Sequence, residues 1–427
     1  GRAYSSTISS IFKKAYTQFL FNQVKYLGCF TLTEPFDVAI VGAGPAGSTV
    51  AKVVARKGYR TVVYDRRSTI GFPVQCGELI PSPSEARNLF PNSRRMPQAV
   101  HVPPKFITNK TRKIQLISPN GATFEFSFEA NIVDRTKFDQ YLADLAKNAG
   151  AEFQIQSIVK KRSQTNELTI KTNRSDNLSR AKIVVGADGA YSVVAKSLGP
   201  HFIHSEYDLS PSLQYVMTGA DVDPSVVEMY FGGKIAPGGY AWVIPKGNGF
   251  VNVGFGMRRS IARDDTPLRA YIKRFVSKTL ASSLKHAKIE SRVGAIIPVG
   301  GPLKRTWSNN VLLVGDAAGH VMASNGGGIP TALCGGEIAG DSICDYLEKN
   351  FPLSNYEKQW RVEFGKELDT ALKVLRVADT VMPSDAITDI CMKLAGVRFL
   401  EPLIRCRLPT PVDLASKTVV KLLNQFI

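Results

Sequence analysis

The sequence predicts a mixed α/β (α+β) fold, and three observations carry that prediction. First, FDVAIVGAG (residues 36–44) is a short apolar run flowing into glycine. PAGSTVAKVVARKG then reads as a helix ending at Gly58, and RTVVYDR as a second strand, a β–turn–α–β unit within about 30 residues. Second, residues 203–290 are sheet-like text broken by glycine-rich turns. Third, residues 352–427 are helical in period, with proline breaks. The expected architecture is a Rossmann-like nucleotide-binding domain with an inserted antiparallel-sheet domain and a helical C-terminal region. In chain order this means an amphipathic segment (1–34), a first nucleotide-binding piece (35–100) and inserted strands (101–130). A second nucleotide-binding piece (131–202), the antiparallel sheet (203–290), a third nucleotide-binding piece (291–350) and the helical region (351–427) follow.

Composition bounds what the chain can be. Its 427 residues suffice for two to three domains, and 44% hydrophobic with 21% charged residues is ordinary for a globular protein. The charge balance is not ordinary: 54 Lys and Arg against 36 Asp and Glu give a formal +18. Such an excess favours anionic lipid or phosphorylated small molecules. No run of five Lys/Arg occurs, so no nucleic-acid partner is expected. Six cysteines without a CxxC pair, beside five histidines, give neither a disulfide framework nor a zinc site, and no metal is expected. A single disulfide among Cys334, Cys344, Cys391 and Cys406 stays open. No window of 18 apolar residues marks a spanning helix. In residues 1–33, which hold no acid, Ile8, Ile11, Phe12, Ala15, Phe19 and Leu20 recur at helical spacing among lysines and polar residues. A helix in a membrane interface, a helix packed on its own protein and a targeting peptide all fit that pattern.

Gly42, Gly44 and Gly47, with Pro45 and Ala46 between them, form G-x-G-x-x-G between a strand and a helix. The first glycine permits the tight turn, the second admits a pyrophosphate to the backbone, and the third lets helix and strand pack closely. Asp65, with Arg66 beside it, ends the next strand 18 residues after Gly47, where an acid accepts hydrogen bonds from an adenosine ribose. A second signal selects the dinucleotide. LLVGDAAGH puts Gly315 and Asp316 at a strand end far along the chain, ahead of Gly326, Gly327 and Gly328 and a helix opening at Ile329 and Pro330. A flavin needs its own acceptor and helix end beyond the pyrophosphate, and a positive helix end stabilises negative charge on a reduced ring. The expected cofactor is FAD.

VAIVGAGPAGSTVA, VDRTKFDQYLA, VVGADGAYS and VLLVGDAAGH resemble the FAD-binding segments of the para-hydroxybenzoate hydroxylase-like flavoproteins, over most of residues 36–345. That resemblance implies that Arg135, Asp188 and Gly189 also lie near the cofactor. Taken alone, Arg135 is as readily a surface arginine, and Asp188-Gly189 as readily a turn.

Two local features are similar to the geranylgeranyl reductase family, including the archaeal enzymes that saturate the prenyl chains of ether lipids. One is Cys76-Gly77-Glu78 in GFPVQCGEL; the other is PGGYAWVIPKGNGFVNVGFG (237–256), where Tyr240, Trp242, Pro245, Lys246 and Gly247 match and Ile244 replaces the more familiar Phe. The resemblance implies an FAD-dependent saturation of C=C bonds in geranylgeranyl chains of membrane lipid precursors, with Cys76, Gly77 and Glu78 catalytic beside the flavin. It also implies that Tyr240, Trp242, Ile244 and Lys246 bind substrate. The residues agree in part. Period-two alternation puts Tyr240, Trp242 and Ile244 on one strand face and Ala241 and Val243 on the other, and an aromatic, aliphatic face suits an isoprenoid chain. Lys246 is left facing flavin, lipid phosphate or water. Reduction needs a positioned acid. Cys76 serves only if its thiol stays neutral, Glu78 competes with it, and a merely buried thiol is the plainer alternative.

The implied partners are a prenylated lipid, NAD(P)H or a ferredoxin as electron donor, and the surface of the cytoplasmic membrane, with the protein peripheral on its cytoplasmic side. Against this stand a flavin monooxygenase or halogenase on an aromatic substrate and a non-enzymatic lipid-binding or electron-carrying flavoprotein. A halogenase is expected to carry Trp where this chain has Tyr240.

Overall fold

The computed structural model describes residues 35–408 apart from 174, 263 and 264. The amphipathic segment expected over 1–34, Cys29 and the end of the helical region from 409 lie outside the described residues. The strands are β1 (Phe36–Val41), β2 (Thr61–Tyr64), β3 (Leu79–Pro81), β4 (Ile107–Ile117), β5 (Thr123–Val133), β6 (Glu152–Gln154), β7 (Ile158–Arg162) and β8 (Glu167–Lys171). They continue with β9 (Asp176–Gly186), β10 (Leu209–Thr218), β11 (Val226–Tyr230), β12 (Tyr240–Gly247), β13 (Phe250–Gly256), β14 (Lys288–Pro298), β15 (Trp307–Ser308) and β16 (Val311–Leu313). The longer helices are α1 (Pro45–Arg56), α2 (Arg135–Asn148), α3 (Ile329–Lys349), α4 (Lys366–Val381) and α5 (Asp385–Ile404), the last kinked at Gly396.

The first sheet orders β15-β16-β9-β1-β2-β6, and β16, β9, β1, β2 and β6 run parallel. Its central strand β1 is apolar and buried from Val38 to Val41 because both faces are covered there. Val38 and Ile40 join the core under α1 and α3, whereas Ala39 and Val41 join a smaller core behind, beside the β7–β8 hairpin. Helix α3 crosses α1 at close range: a Cβ at Gly340 would sit 2.5 Å from Val53 Cβ.

The second sheet orders β14-β10-β13-β12-β11-β4-β5-β3. It is antiparallel as expected except at one seam, where β11 pairs with β4 in parallel, Val226 opposite Lys113. That seam joins strands from two distant stretches of sequence into one sheet. Strand β3, immediately after Cys76-Gly77-Glu78, pairs with β5 and so belongs to this sheet too. Alternation in β12 separates two cores: Tyr240, Trp242 and Ile244 face one, Ala241 and Val243 the other.

Helices α4 and α5 lie over this sheet. Ion pairs from Arg376 to Asp208 and from Arg258 to Asp379 hold α4, and Asp389 accepts from Ser118 Oγ at 2.5 Å to hold α5. Cys76, Cys334, Cys344, Cys391 and Cys406 are free thiols, which settles the disulfide left open by sequence. Among the described residues no helix is long and apolar enough to cross a membrane.

Candidate active site

The glycine turn is built by steric demand. Gly42 has φ +104°, and a Cβ there would meet the Ala187 carbonyl oxygen at 2.2 Å; at Gly47 it would meet the Gly42 carbonyl oxygen at 1.9 Å. By contrast nothing lies within 4 Å of a Cβ placed on Gly44. Gly44 also N-caps α1 with no side-chain cap, and Pro45 and Ala46 form its first turn, so bare N–H groups face open space. Asp65 at the end of β2 accepts from Ala43 N at 2.8 Å. Arg67, which the sequence reading missed, binds both Asp65 oxygens at 2.9 and 2.7 Å, while Arg66 is exposed. Burial opposes the charge on Asp65, yet Arg67 and the Ala43 N–H hold its pKa below the usual value.

Asp188 follows the Ala187 carbonyl that packs on Gly42, with Gly189 at φ +85° turning the chain after it. Its Oδ2 accepts from Val193 N at 2.7 Å, but its Oδ1 is buried with no partner among the described residues. An orphaned buried acceptor is costly unless a ligand completes it. On the far side Gly315 (φ +64°) leads into Asp316, whose carboxyl is pushed up to about 6 by burial against the pull of Arg135. Gly328 caps the 21-residue α3 without a side-chain cap, and Gly327, Gly328 and Ile329 line a cavity. A bare helix end, an open glycine cradle and an orphaned acceptor are what a pyrophosphate, a ribityl chain and an anionic ring require, so these residues fit FAD.

That cavity, about 830 Å³, runs between the second sheet and helices α4 and α5. Cys76, Gly77 and Glu78 line its inner end with Tyr240, Trp242 and Ile244. The second sheet supplies side-chain holds on the cysteine loop. Gln75 Nε2 donates to Gly294 O on β14 at 2.7 Å, and Gln214 Nε2 on β10 donates to Cys76 O at 3.0 Å. Trp242 Nε1 donates to Gln214 Oε1 at 3.0 Å, fixing that amide. Ile244 Cδ1 abuts Gly77, where a Cβ would come within 2.9 Å. Asn252 on β13 donates to Glu78 Oε2 at 2.8 Å, and Lys246 Nζ closes on the same oxygen at 2.5 Å. Tyr240 OH donates to Asn325 O at 2.5 Å, bracing the loop before the triple glycine.

The predicted site residues therefore divide. Tyr240, Trp242 and Ile244 both line the cavity and support the loops at its end. Lys246, expected to touch substrate, is not among the cavity-lining residues; it neutralises Glu78, whose side chain is buried. Gln214 and Asn252 were missed. No local pattern marked them: both alternate away from their apolar neighbours, yet they are 4% and 0% exposed. Arg135 reaches the site from the start of α2, bidentate to Asp139 at 2.8 and 2.9 Å. Burial disfavours its charge, but Asp139 and the neighbouring Cys76 and Glu78 hold its pKa up. Burial likewise pushes the Cys76 thiol up, and the attraction of Arg135 does not offset it. Cys76 is a neutral thiol at neutral pH, the state a proton donor needs.

A thiol, a flavin-type cradle and an apolar cavity on one two-sheet fold define a class, the FAD-dependent oxidoreductases. Residues 40–88 match the NAD(P)-binding Rossmann-like domain and residues 208–296 the geranylgeranyl reductase catalytic domain. The chain is 31% identical to digeranylgeranylglycerophospholipid reductase 1 of Methanococcoides burtonii over 86% of its own length and 90% of that protein. With the digeranylgeranylglycerophospholipid reductase of Methanosarcina acetivorans it shares 34%, over 80% and 84%. A geranylgeranyl bacteriochlorophyll reductase-like protein of Thermoplasma acidophilum superposes with a TM-score of 0.77 at 28% identity, covering 92% of this chain and all of that one. The myxobacterial chondrochloren halogenase shares the fold alone, with a TM-score of 0.65 at 17% identity over 92% of this chain and 90% of its own. The chain belongs to the digeranylgeranylglycerophospholipid reductase family.

Proposed function

We propose that this protein is an FAD-dependent reductase that saturates the C=C bonds of geranylgeranyl chains in membrane lipid precursors such as digeranylgeranylglycerophospholipids. The observation that carries the reading is the apolar cavity ending at a neutral thiol and a bare helix N-terminus. Bound and reduced, FAD supplies hydride to one alkene carbon. The other carbon takes a proton, and Cys76 holds one at Sγ inside the cavity. Tyr240, Trp242 and Ile244 form a wall against which an isoprenoid chain lies, each buried methylene contributing about 0.8 kcal/mol. Glu78, committed to Lys246 and Asn252, fixes the loop rather than competing for the proton. The electron pair comes from a reductant, NAD(P)H or a ferredoxin, and the protein works on the cytoplasmic face of the membrane.

The test is anaerobic. The protein is reduced with dithionite, digeranylgeranylglyceryl phosphate is added, and lipid mass is followed beside flavin absorbance. Stepwise gain of hydrogen pairs with flavin reoxidation supports the reading. An unchanged lipid over reduced flavin overturns it, and oxygen consumption with aromatic substrates would then favour a monooxygenase.

A further inference from the structure

We propose that the outward face of α5 docks the protein on an anionic lipid surface, so that a prenyl chain passes from the bilayer into the cavity beside it; this rests on the cavity being a lipid-chain site. Helix α5 is apolar on both sides. Thr388 and Met392 face inward and are buried, whereas Ile387, Ile390 and Leu394, at spacings of three and four, are 36%, 56% and 81% exposed. A helix on a water-facing surface ordinarily shows polar residues there, and one apolar all round is normally covered.

The cavity runs along the same helix. Cys391 and Ala395, each one residue after Ile390 and Leu394, line it, and Lys373, Arg376 and Val377 of α4 are its exposed lining residues and mark its mouth. Charge points to the same occupant. Acids of α5 are engaged within the protein: Asp385 accepts from Gly233 N, Asp389 from Ser118 and Glu401 from Arg405. Cations are left outward. Arg398 of α5 and Lys373 at the mouth are exposed and have no acidic partner among the described residues, whereas Lys393, also exposed, pairs with Asp389 at 2.7 Å. An apolar stripe flanked by cations at the mouth of an apolar cavity matches the interface of an anionic bilayer, where apolar burial and attraction to headgroups act together.

The full chain is sedimented with vesicles of phosphatidylcholine alone and of phosphatidylcholine with phosphatidylglycerol, as wild type and as the double variant Ile390→Glu, Leu394→Glu. The expected result is binding to the anionic vesicles that the variant weakens about tenfold or more. Turnover of detergent-dispersed lipid stays unchanged in the variant, and turnover of vesicle-embedded lipid falls. Equal vesicle binding by both proteins overturns the proposal, as does a wild-type dimer that the variant splits, which would give the face to a second copy. Absent turnover in detergent by both proteins would sink the reductase reading while vesicle binding still judges the docking face. Should the double variant not fold, Leu394→Trp is mixed with vesicles of brominated lipid; quenching beyond that of the wild type supports docking, and none overturns it.

Discussion

Trp242 holds Cys76 through one side-chain amide: the indole N–H donates to Gln214 Oε1, and the same amide donates to the Cys76 carbonyl, both at 3.0 Å. A strand of the second sheet thereby sets the height of the cysteine loop over the cavity. Trp242→Phe keeps the apolar wall but leaves the buried amide oxygen without its donor, at a cost of about 1–3 kcal/mol. We expect kcat to fall about tenfold with little change in KM for the lipid, and Gln214→Leu to behave alike. Steady-state kinetics with detergent-dispersed lipid checks both; a rise in KM alone would show Trp242 to be only a binding wall.

Cys76 itself should react slowly. Burial raises its pKa, so at pH 7 almost no thiolate is present, and alkylation by iodoacetamide should accelerate only above pH 9. Mass spectrometry of the modified peptide reads this directly, and fast labelling at pH 7 would contradict a neutral donor. Cys76→Ala should retain flavin and lose turnover by about 100-fold or more.

Asp316 makes the flavin-free protein sensitive to pH. Its folded pKa of about 6 lies above the ordinary 3.8, so the protonated form stabilises the fold below pH 4 and that contribution is lost as pH rises through 6. A two-unit shift corresponds to about 3 kcal/mol. Urea unfolding of flavin-free protein between pH 4 and 7 should show this fall, and Asp316→Asn should flatten it.

Lys246→Met strands Glu78 as a buried charge, a loss of about 3–5 kcal/mol. Adding Glu78→Gln should recover much of it, because a neutral amide still accepts from Asn252. Thermal unfolding of the two single variants and the double variant measures the coupling; additive losses would mean the pair does not hold the loop.

Gly47→Ala forces a Cβ against the Gly42 carbonyl, a clash worth about 2–3 kcal/mol if the turn yields. The protein should purify with little or no yellow colour, and bound flavin per chain is the measurement.

What sequence could reveal followed the range of the forces involved. The glycine turn is legible because Gly47 packs on the Gly42 carbonyl within the same motif, although the Ala187 carbonyl that crowds Gly42 comes from far along the chain, and the two faces of Tyr240–Ile244 follow from alternation alone. Cys76 stands out only through its resemblance to a family, since a lone thiol has no local pattern. The Lys246–Glu78 pair joins residues 168 positions apart, and no local rule brings a lysine after a strand to an acid in another segment. Gln214 and Asn252 read as solvent-facing strand residues until the covering loop is placed over them. The parallel seam between β4 and β11 is likewise a property of topology, invisible to periodicity.

That seam imposes an order on synthesis. Strand β4 is finished at residue 117, and its hairpin partner β5 follows at once, but its other edge waits for β11 at residue 226. At about 5–20 residues per second a ribosome leaves that edge bare for roughly 5–20 s. An unpaired edge recruits strands from neighbouring chains. Lys110, Arg112 and Lys113 stand on β4, cations that discourage such pairing while the chain is still being made.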